Sequence, residues 1–167
     1  VLEHASFTFL IEGISRAASH QLVRHRLASY SQQSQRYINF KNPEFVIPPS
    51  VNENKILLNH FREHIQQSND IYQEMIKIGI PEEDARYILP QAITSQIIIT
   101  DNAREYLHII QLRLCNRAQW EIRMIVNKIL VILKELAPTI FENAGPPCIT
   151  GICPEGDKGC GQPWNKK

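Results

Sequence analysis

Ile93-Thr94-Ser95-Gln96-Ile97-Ile98-Ile99-Thr100, followed at once by Asp101-Asn102-Ala103-Arg104-Glu105, sets a strand against a helix within one short stretch. The first part is β-branched and apolar, the composition of a buried strand. In the second, Asn102 and Glu105 stand three apart and fit a capping box, Asn102 accepting from the first turn and Glu105 reaching back. A helix is predicted from there towards Cys115. Downstream, Ile122, Val126, Ile129 and Leu133 form one stripe of a helix running from about Gln119 to Leu136, with Pro138 beyond its end. Upstream, Ser6-Phe7-Thr8-Phe9-Leu10-Ile11 begins with polar–apolar alternation and reads as a second strand, broken at Gly13.

Ile14, Ala17, Ala18, Gln21, Leu22 and His25 then recur at helical spacing, which predicts a helix over about 14 to 28. Its last turn would carry Arg24, His25 and Arg26, where positive charge suits the negative end of the helix dipole. Pro43, Pro48 and Pro49 mark an irregular segment. Leu57, Phe61, Ile65, Ile71, Tyr72, Met75 and Ile76 predict a long amphipathic helix stopped near Gly79. Pro81 and the acids Glu82, Glu83 and Asp84 start a short helix that Pro90 closes. The expected fold is α+β: a small β-sheet containing the segments near 5–12 and 92–100, packed by long α-helices. One domain over 1–167 is expected, with an irregular Gly- and Pro-containing tail at 144–167.

The 167 residues suffice for one domain with a core of its own. Hydrophobic residues make up 43% and charged residues 21%, the balance of a globular protein that stays in water. No apolar run approaches the length of a membrane span, and no basic-then-apolar secretory signal opens the chain. The first residue is Val1 rather than Met, so a fragment without its natural N-terminus is expected. The formal net charge of +1 argues against a generic binder of nucleic acid or anionic membrane.

That average hides an asymmetry. From Gly13 to Pro43 there is no acid, while Arg16, Arg24, Arg26, Arg36, Lys41, His20 and His25 all fall there. A second group, Arg104, Arg113, Arg117 and Arg123, has only Glu105 and Glu121 among it. Arginine is the cation in both, and its planar fork binds phosphate oxygens two at a time. Around Arg24-His25-Arg26 stand Gln21, Ser29, Tyr30, Gln32, Gln33, Ser34, Gln35 and Tyr37. Cations neutralise a phosphate, and Gln side chains match the donor and acceptor edges of a base. A phosphorylated small molecule with a nucleobase suits this segment; the plain alternative is a solvated helix end.

Arg-His-Arg, then seven residues, then Ser34, resembles the signature of the flavin-dependent thymidylate synthases (the ThyX family). Glu3-His4-Ala5-Ser6-Phe7-Thr8-Phe9 ahead of it, and Asn102-Ala103-Arg104 and Gln119-Trp120-Glu121-Ile122-Arg123 behind it, resemble further family segments in the right order over about 1–143. The resemblance implies a homotetramer that methylates dUMP to dTMP, taking carbon from methylenetetrahydrofolate and electrons from NADPH through bound FAD. It implies that Arg24, His25, Arg26, Gln32, Arg113 and Arg117 contact the flavin cofactor. It implies that Gln21, Arg24, Gln32, Gln33, Ser34, Gln35 and Arg36 hold dUMP, with Ser34 and Arg36 near its phosphate. Arg123 is implied at the uracil, where a fixed cation favours ionisation of the ring N3. Gln32 stands where some members have Glu, Arg117 where others have His, and Gln96 where some have Arg. At Gln96 this implies a weaker nucleotide contact, or none. A short upstream element that clamps FAD in the family would fall just before Val1.

Ser34 and Cys115 lack a base and orienting partner at a recognisable spacing, so neither is expected to be a nucleophile, and Cys115 reads as a small core residue on a helix. His60 and His64 lie one turn apart with no third ligand evident, so an ordinary polar helix face is expected and no metal. Cys148, Cys153 and Cys160 lack CxxC pairs and would need a fourth zinc ligand from elsewhere, so a reduced, structurally modest tail is expected, with a zinc or disulfide role as the alternative. Four cysteines so spaced do not make a secreted disulfide framework, and the cytoplasm is expected. Two rival functions remain: an RNA- or single-strand-binding module stacking bases on Tyr30 and Tyr37, and a nucleotide-binding relative without turnover.

Overall fold

The computed structural model describes residues 1–37, 43–149 and 151–164. Three strands, β1 (Ser6–Ser15), β2 (Ser29–Gln32) and β3 (Thr94–Asn102), form an antiparallel sheet in the order β1-β3-β2. Seven α-helices accompany them among the described residues: α1 (Arg16–Leu22), α2 (Pro49–Asn52), α3 (Lys55–Lys77), α4 (Glu82–Ala85), α5 (Ala103–Arg113), α6 (Trp120–Leu136) and α7 (Pro138–Phe141). This is the expected α+β arrangement. None of these helices is long and apolar enough to cross a membrane.

By its contacts the chain divides into two compact units. One comprises residues 1–9, 20–30 and 98–167, the other 10–19 and 31–97. In the first unit α5 packs on α6 and α6 on α7. Tyr106, Ile109, Ile110, Ile122, Val126, Leu133 and Phe141 are buried there, and Phe7 meets the rings of Tyr106 and Phe141 edge-on. The stripe read from the sequence of α6 is therefore core. In the second unit α3 packs against α2 and α4, and Ile14, Ala18, Tyr72, Ala85, Ile93 and Ile97 are buried.

Four local expectations need correction. Gly13 does not break β1: it lies within the strand at φ +69°, a conformation open to glycine without strain, and pairing continues to Ser15. β3 is buried on one face only, since Ser95, Ile97, Ile99 and Asp101 are buried while Gln96 and Ile98 are exposed. Asn102 caps α5 by accepting from the Glu105 N–H at 3.0 Å, but its own N–H donates to Asp101 Oδ1 at 2.8 Å. Glu105 is thereby released from the capping box and faces His25 instead.

The fourth correction matters most for function. α1 stops at Leu22, so Arg24, His25 and Arg26 lie beyond it in a turn and not in its last turn. The Leu22 carbonyl accepts from the Tyr30 hydroxyl at 2.8 Å and the His25 N–H at 3.2 Å. Tyr30 also donates to the His25 carbonyl at 3.2 Å. These bonds satisfy carbonyls at the helix end and turn the chain away from its axis. Elsewhere two of the sequence segments quoted for the resemblance meet: Arg104 pairs with Glu3, whose carboxyl this guanidinium pulls down to about 2, and the Ala103 N–H donates to the Ala5 carbonyl.

Candidate functional site

The turn after α1 sorts its three cations by direction. His25 is 6% exposed, whereas Arg24 and Arg26 on either side face solvent. Helix α5 supplies what His25 meets. Glu105, His108 and Arg113 are spaced i, i+3 and i+8, one stripe of a helix. Arg113 Nε donates to His25 Nε2 at 2.9 Å, and its Nη2 to the Gln21 carbonyl at 3.3 Å. A nitrogen that accepts from a guanidinium carries no proton, so the imidazole proton sits on Nδ1. That atom faces Glu105 Oε1 at 3.6 Å, and the His108 ring stands edge-on 6.1 Å away.

Burial, with Arg113 and His108 adding to it, pushes His25 down to about 4. The imidazole is therefore neutral at pH 7, although it lies in an arginine-rich segment. Burial and the Asp101 charge raise the Glu105 carboxyl, against a lowering by His108. Stability follows from the His25 shift. An unfolded histidine takes its proton near pH 6.5 and the folded one only near 4, so acid favours the unfolded chain in between. The contribution is whole above pH 6.5 and is lost as pH falls towards 4, up to about 3 kcal/mol. Thermal unfolding between pH 7 and 4 should show this loss in the wild type and a shallower one in His25→Gln. Parallel curves would contradict the burial of a neutral His25.

Two further groups shape the same region. Asp101 is buried, with Oδ1 taken by the Asn102 N–H and Oδ2 without a hydrogen-bond partner among the described residues, and burial raises its carboxyl. Burial first, then the charges of Asp101 and Glu105, keep the Tyr30 phenol protonated. The ligand atoms of His25, Glu105 and His108 lie within 4.8 Å of one another, a spacing that can hold a metal ion. Here the Arg113 guanidinium already occupies His25 Nε2, and its charge opposes a cation beside it. What the geometry shows is a hydrogen bond from Arg113 to His25, whose other ring nitrogen faces the Glu105 carboxyl across 3.6 Å.

Arg113 also lines a cavity of about 360 Å³ with Arg117, Leu112, Ala118, Pro146 and Pro147. Arg117 is ion-paired to Glu155. Arg123, in the first turn of α6, donates through Nη1 to the Asn116 carbonyl at 2.7 Å. The helix start beneath it is fixed by the Gln119 side chain, which accepts from the N–H groups of Glu121 and Ile122.

In the second unit the remaining candidates gather around the start of the loop after β2. Gln32 Nε2 donates to Ser19 Oγ at 3.0 Å and Ser95 Oγ at 3.2 Å. The Gln33 N–H donates to the Gln96 carbonyl at 2.9 Å, while the Gln96 side chain is exposed. Ser34 Oγ accepts from the Arg36 N–H at 3.1 Å, and Gln35 is half-buried. Arg36 is ion-paired to Glu83 at 2.8 Å and stacks over Tyr37. Lys41 lies outside the described residues, and His60 and His64 are exposed on α3.

The model of one protein family, thymidylate synthase complementing protein, matches residues 1–139. A protein of Geobacter sulfurreducens named flavin-dependent thymidylate synthase is 56% identical over 164 residues, covering 97% of this chain and 71% of its own length. Proteins of the same name from Pyrococcus abyssi and Clostridium tetani are 51% and 42% identical, covering 93% and 96% of this chain and 67% and 71% of theirs.

The chain belongs to the thymidylate synthase complementing protein family. The flavin dependence in its relatives' names can be tested against the residues present. Arg24 and Arg26 are exposed, and the half-buried Arg113 lines a cavity with Arg117 and Glu155 whose other walls include Leu112, Ala118 and Pro146. That donor set fits a group carrying both phosphates and a flat apolar ring. Arg117 and Arg36 are held by the carboxylates of Glu155 and Glu83, which a phosphate at either guanidinium would have to displace. Sequence reasoning missed Glu105 and His108 as partners of His25. The i, i+3, i+8 spacing on α5 is the available signal, but Glu105 also fits the capping-box spacing, which hides it. Cys115 was also misread: it lies past the end of α5, is half-exposed, and lines cavities, so it is neither on a helix nor in the core.

Proposed function

We propose that this chain is a flavin-dependent thymidylate synthase, converting dUMP to dTMP with methylenetetrahydrofolate as carbon donor and NADPH as reductant. The observation that carries this is the 56% identity to a protein of that name across 97% of the chain. A methylene carbon needs two electrons to become a methyl group; FAD, when bound, supplies the hydride-transfer chemistry that delivers them from NADPH. The chain's own part is binding, orientation and electrostatics.

Arg24, His25, Arg26, Gln32, Arg113 and Arg117 hold the flavin. Gln21, Arg24, Gln32, Gln33, Ser34, Gln35, Arg36 and Gln96 hold dUMP, the arginines at phosphate and the amides at base edges. Arg123 keeps a positive charge at the uracil, where ring nitrogen ionisation develops negative charge. The neutral His25, buried with its proton on Nδ1, supports the turn that leaves Arg24 and Arg26 free to reach the cofactor and holds Arg113 in place beside them. Four copies acting in the cytoplasm, each a single domain of core 1–143 and tail 144–167, complete the proposal. Nucleic acid and membrane are not among its partners.

Turnover tests it. The full natural chain, given dUMP, methylenetetrahydrofolate, NADPH and FAD, should form dTMP, and omission of any one should reduce product to background. Retained flavin without dTMP under the complete mixture would favour the non-catalytic relative. Salt-sensitive binding to long RNA without flavin would favour the polymer-binding module.

A further inference from the structure

Cys115, Cys148, Cys153 and Cys160 line one cavity of about 460 Å³ in the first unit. The sequence separates them: three sit in the tail, and the fourth is more than thirty positions upstream. The fold closes that gap, because α5 ends at Arg113 and leaves Cys115 in the turn before α6, against the tail. None of the four is in a disulfide. We propose that these four thiols form a tetrathiolate metal centre for a thiophilic metal, held as one zinc ion or as an iron–sulfur cluster.

Four sulfurs from two distant segments match the ligand set of structural zinc and of iron–sulfur clusters, and thiolate is the ligand that selects these metals. N–H groups are directed at two of the four sulfurs, those of Cys148 and Cys160, and the Cys160 thiol also faces the Gln162 carbonyl at 3.4 Å. The Trp164 N–H points at Cys148 Sγ at 3.5 Å and the Gln162 N–H at Cys160 Sγ at 3.4 Å. Asn116 Nδ2 approaches Cys160 Sγ at 3.9 Å. Such donors orient ligands and tune the metal they hold. Gly161, at φ +68°, makes the turn that returns the Gln162 N–H to Cys160.

The tail also needs such a tie. Ile152 is 95% exposed, and between Pro146 and Trp164 no described side chain is buried. Apolar burial therefore gives this segment little stability, and metal binding is folding energy for segments of that kind. Among the described residues no three of the sulfurs lie within 4.8 Å of one another. A zinc ion would draw them in to an edge of about 3.8 Å, from a Zn–S bond of about 2.3 Å. An iron–sulfur cluster holds its thiolates further apart and fills more of the cavity. Metal would fix Glu155, and with it the Arg117 guanidinium, beside the neighbouring cavity.

The full chain, purified without oxygen, should contain either about one zinc per chain or iron with matching acid-labile sulfide. X-ray absorption at the metal edge should show a shell of sulfur neighbours only, about four per metal in the zinc case. Cys115→Ser and Cys153→Ser should each lower metal content about tenfold or more, while His60→Ala/His64→Ala leaves it unchanged. Less than about a tenth of an equivalent of either metal, both as purified and after reconstitution with zinc or with ferrous iron and sulfide, would overturn the proposal. So would nitrogen or oxygen in the first coordination shell of the wild type, a result that does not depend on whether the variants fold. Flavin retention is a separate measurement, so failure here leaves the synthase assignment standing.

Discussion

Arg123→Ala is expected to lower dTMP formation by about 10²- to 10³-fold while leaving flavin retention close to wild type. Its guanidinium is oriented before any ligand arrives, because Nη1 already donates to the Asn116 carbonyl and the helix start below it is capped by Gln119. A charge held in place costs no reorganisation when negative charge develops on the uracil. Lysine should restore only part of the rate, since a flexible point charge cannot keep the carbonyl contact and face the base together. Steady-state rates alongside flavin absorbance after desalting check this. Equal losses of both would remove Arg123 from the chemistry and make it a cofactor anchor.

The second large effect is expected at Arg113. Alanine there leaves the buried His25 Nε2 and the Gln21 carbonyl without their donor. An orphaned buried acceptor costs about 1–3 kcal/mol, which for a chain of this size lowers Tm by about 2–4 °C per kcal/mol. Flavin retention should fall as well, because the same side chain lines the cavity it shares with Arg117. One readout separates this from general destabilisation: Arg113 opposes protonation of His25, so His25 should titrate higher in the variant. It should still titrate below an ordinary histidine, because burial is the larger cause. An unchanged His25 titration by NMR would contradict the contact.

Much of the framework was legible because it rests on periodicity. The α6 stripe and the 23-residue α3 follow from apolar spacing, and α3 runs over Lys55–Lys77, close to where Gly79 predicted its end. What escaped was structure decided by polar atoms. β2 is Ser-Tyr-Ser-Gln, with no apolar alternation to mark it; it exists because β3 offers it an edge. The early end of α1 depends on a hydroxyl eight residues away. The candidate site shows the same division. A cationic, amide-rich segment at 21–37 was plain, but periodicity could not tell that His25 turns inward while its neighbouring arginines stay in water. Nor could spacing alone bring Cys115 to the tail, since that contact depends on where α5 stops.

The most direct measurement is the visible spectrum of the full natural chain after incubation with FAD and desalting, recorded before and after dUMP is added. Stoichiometric flavin whose bands shift with dUMP is the predicted result, because cofactor and nucleotide must lie together for carbon and hydride to reach one base. A protein that emerges colourless, or whose flavin ignores dUMP at saturating concentration, would contradict the assignment.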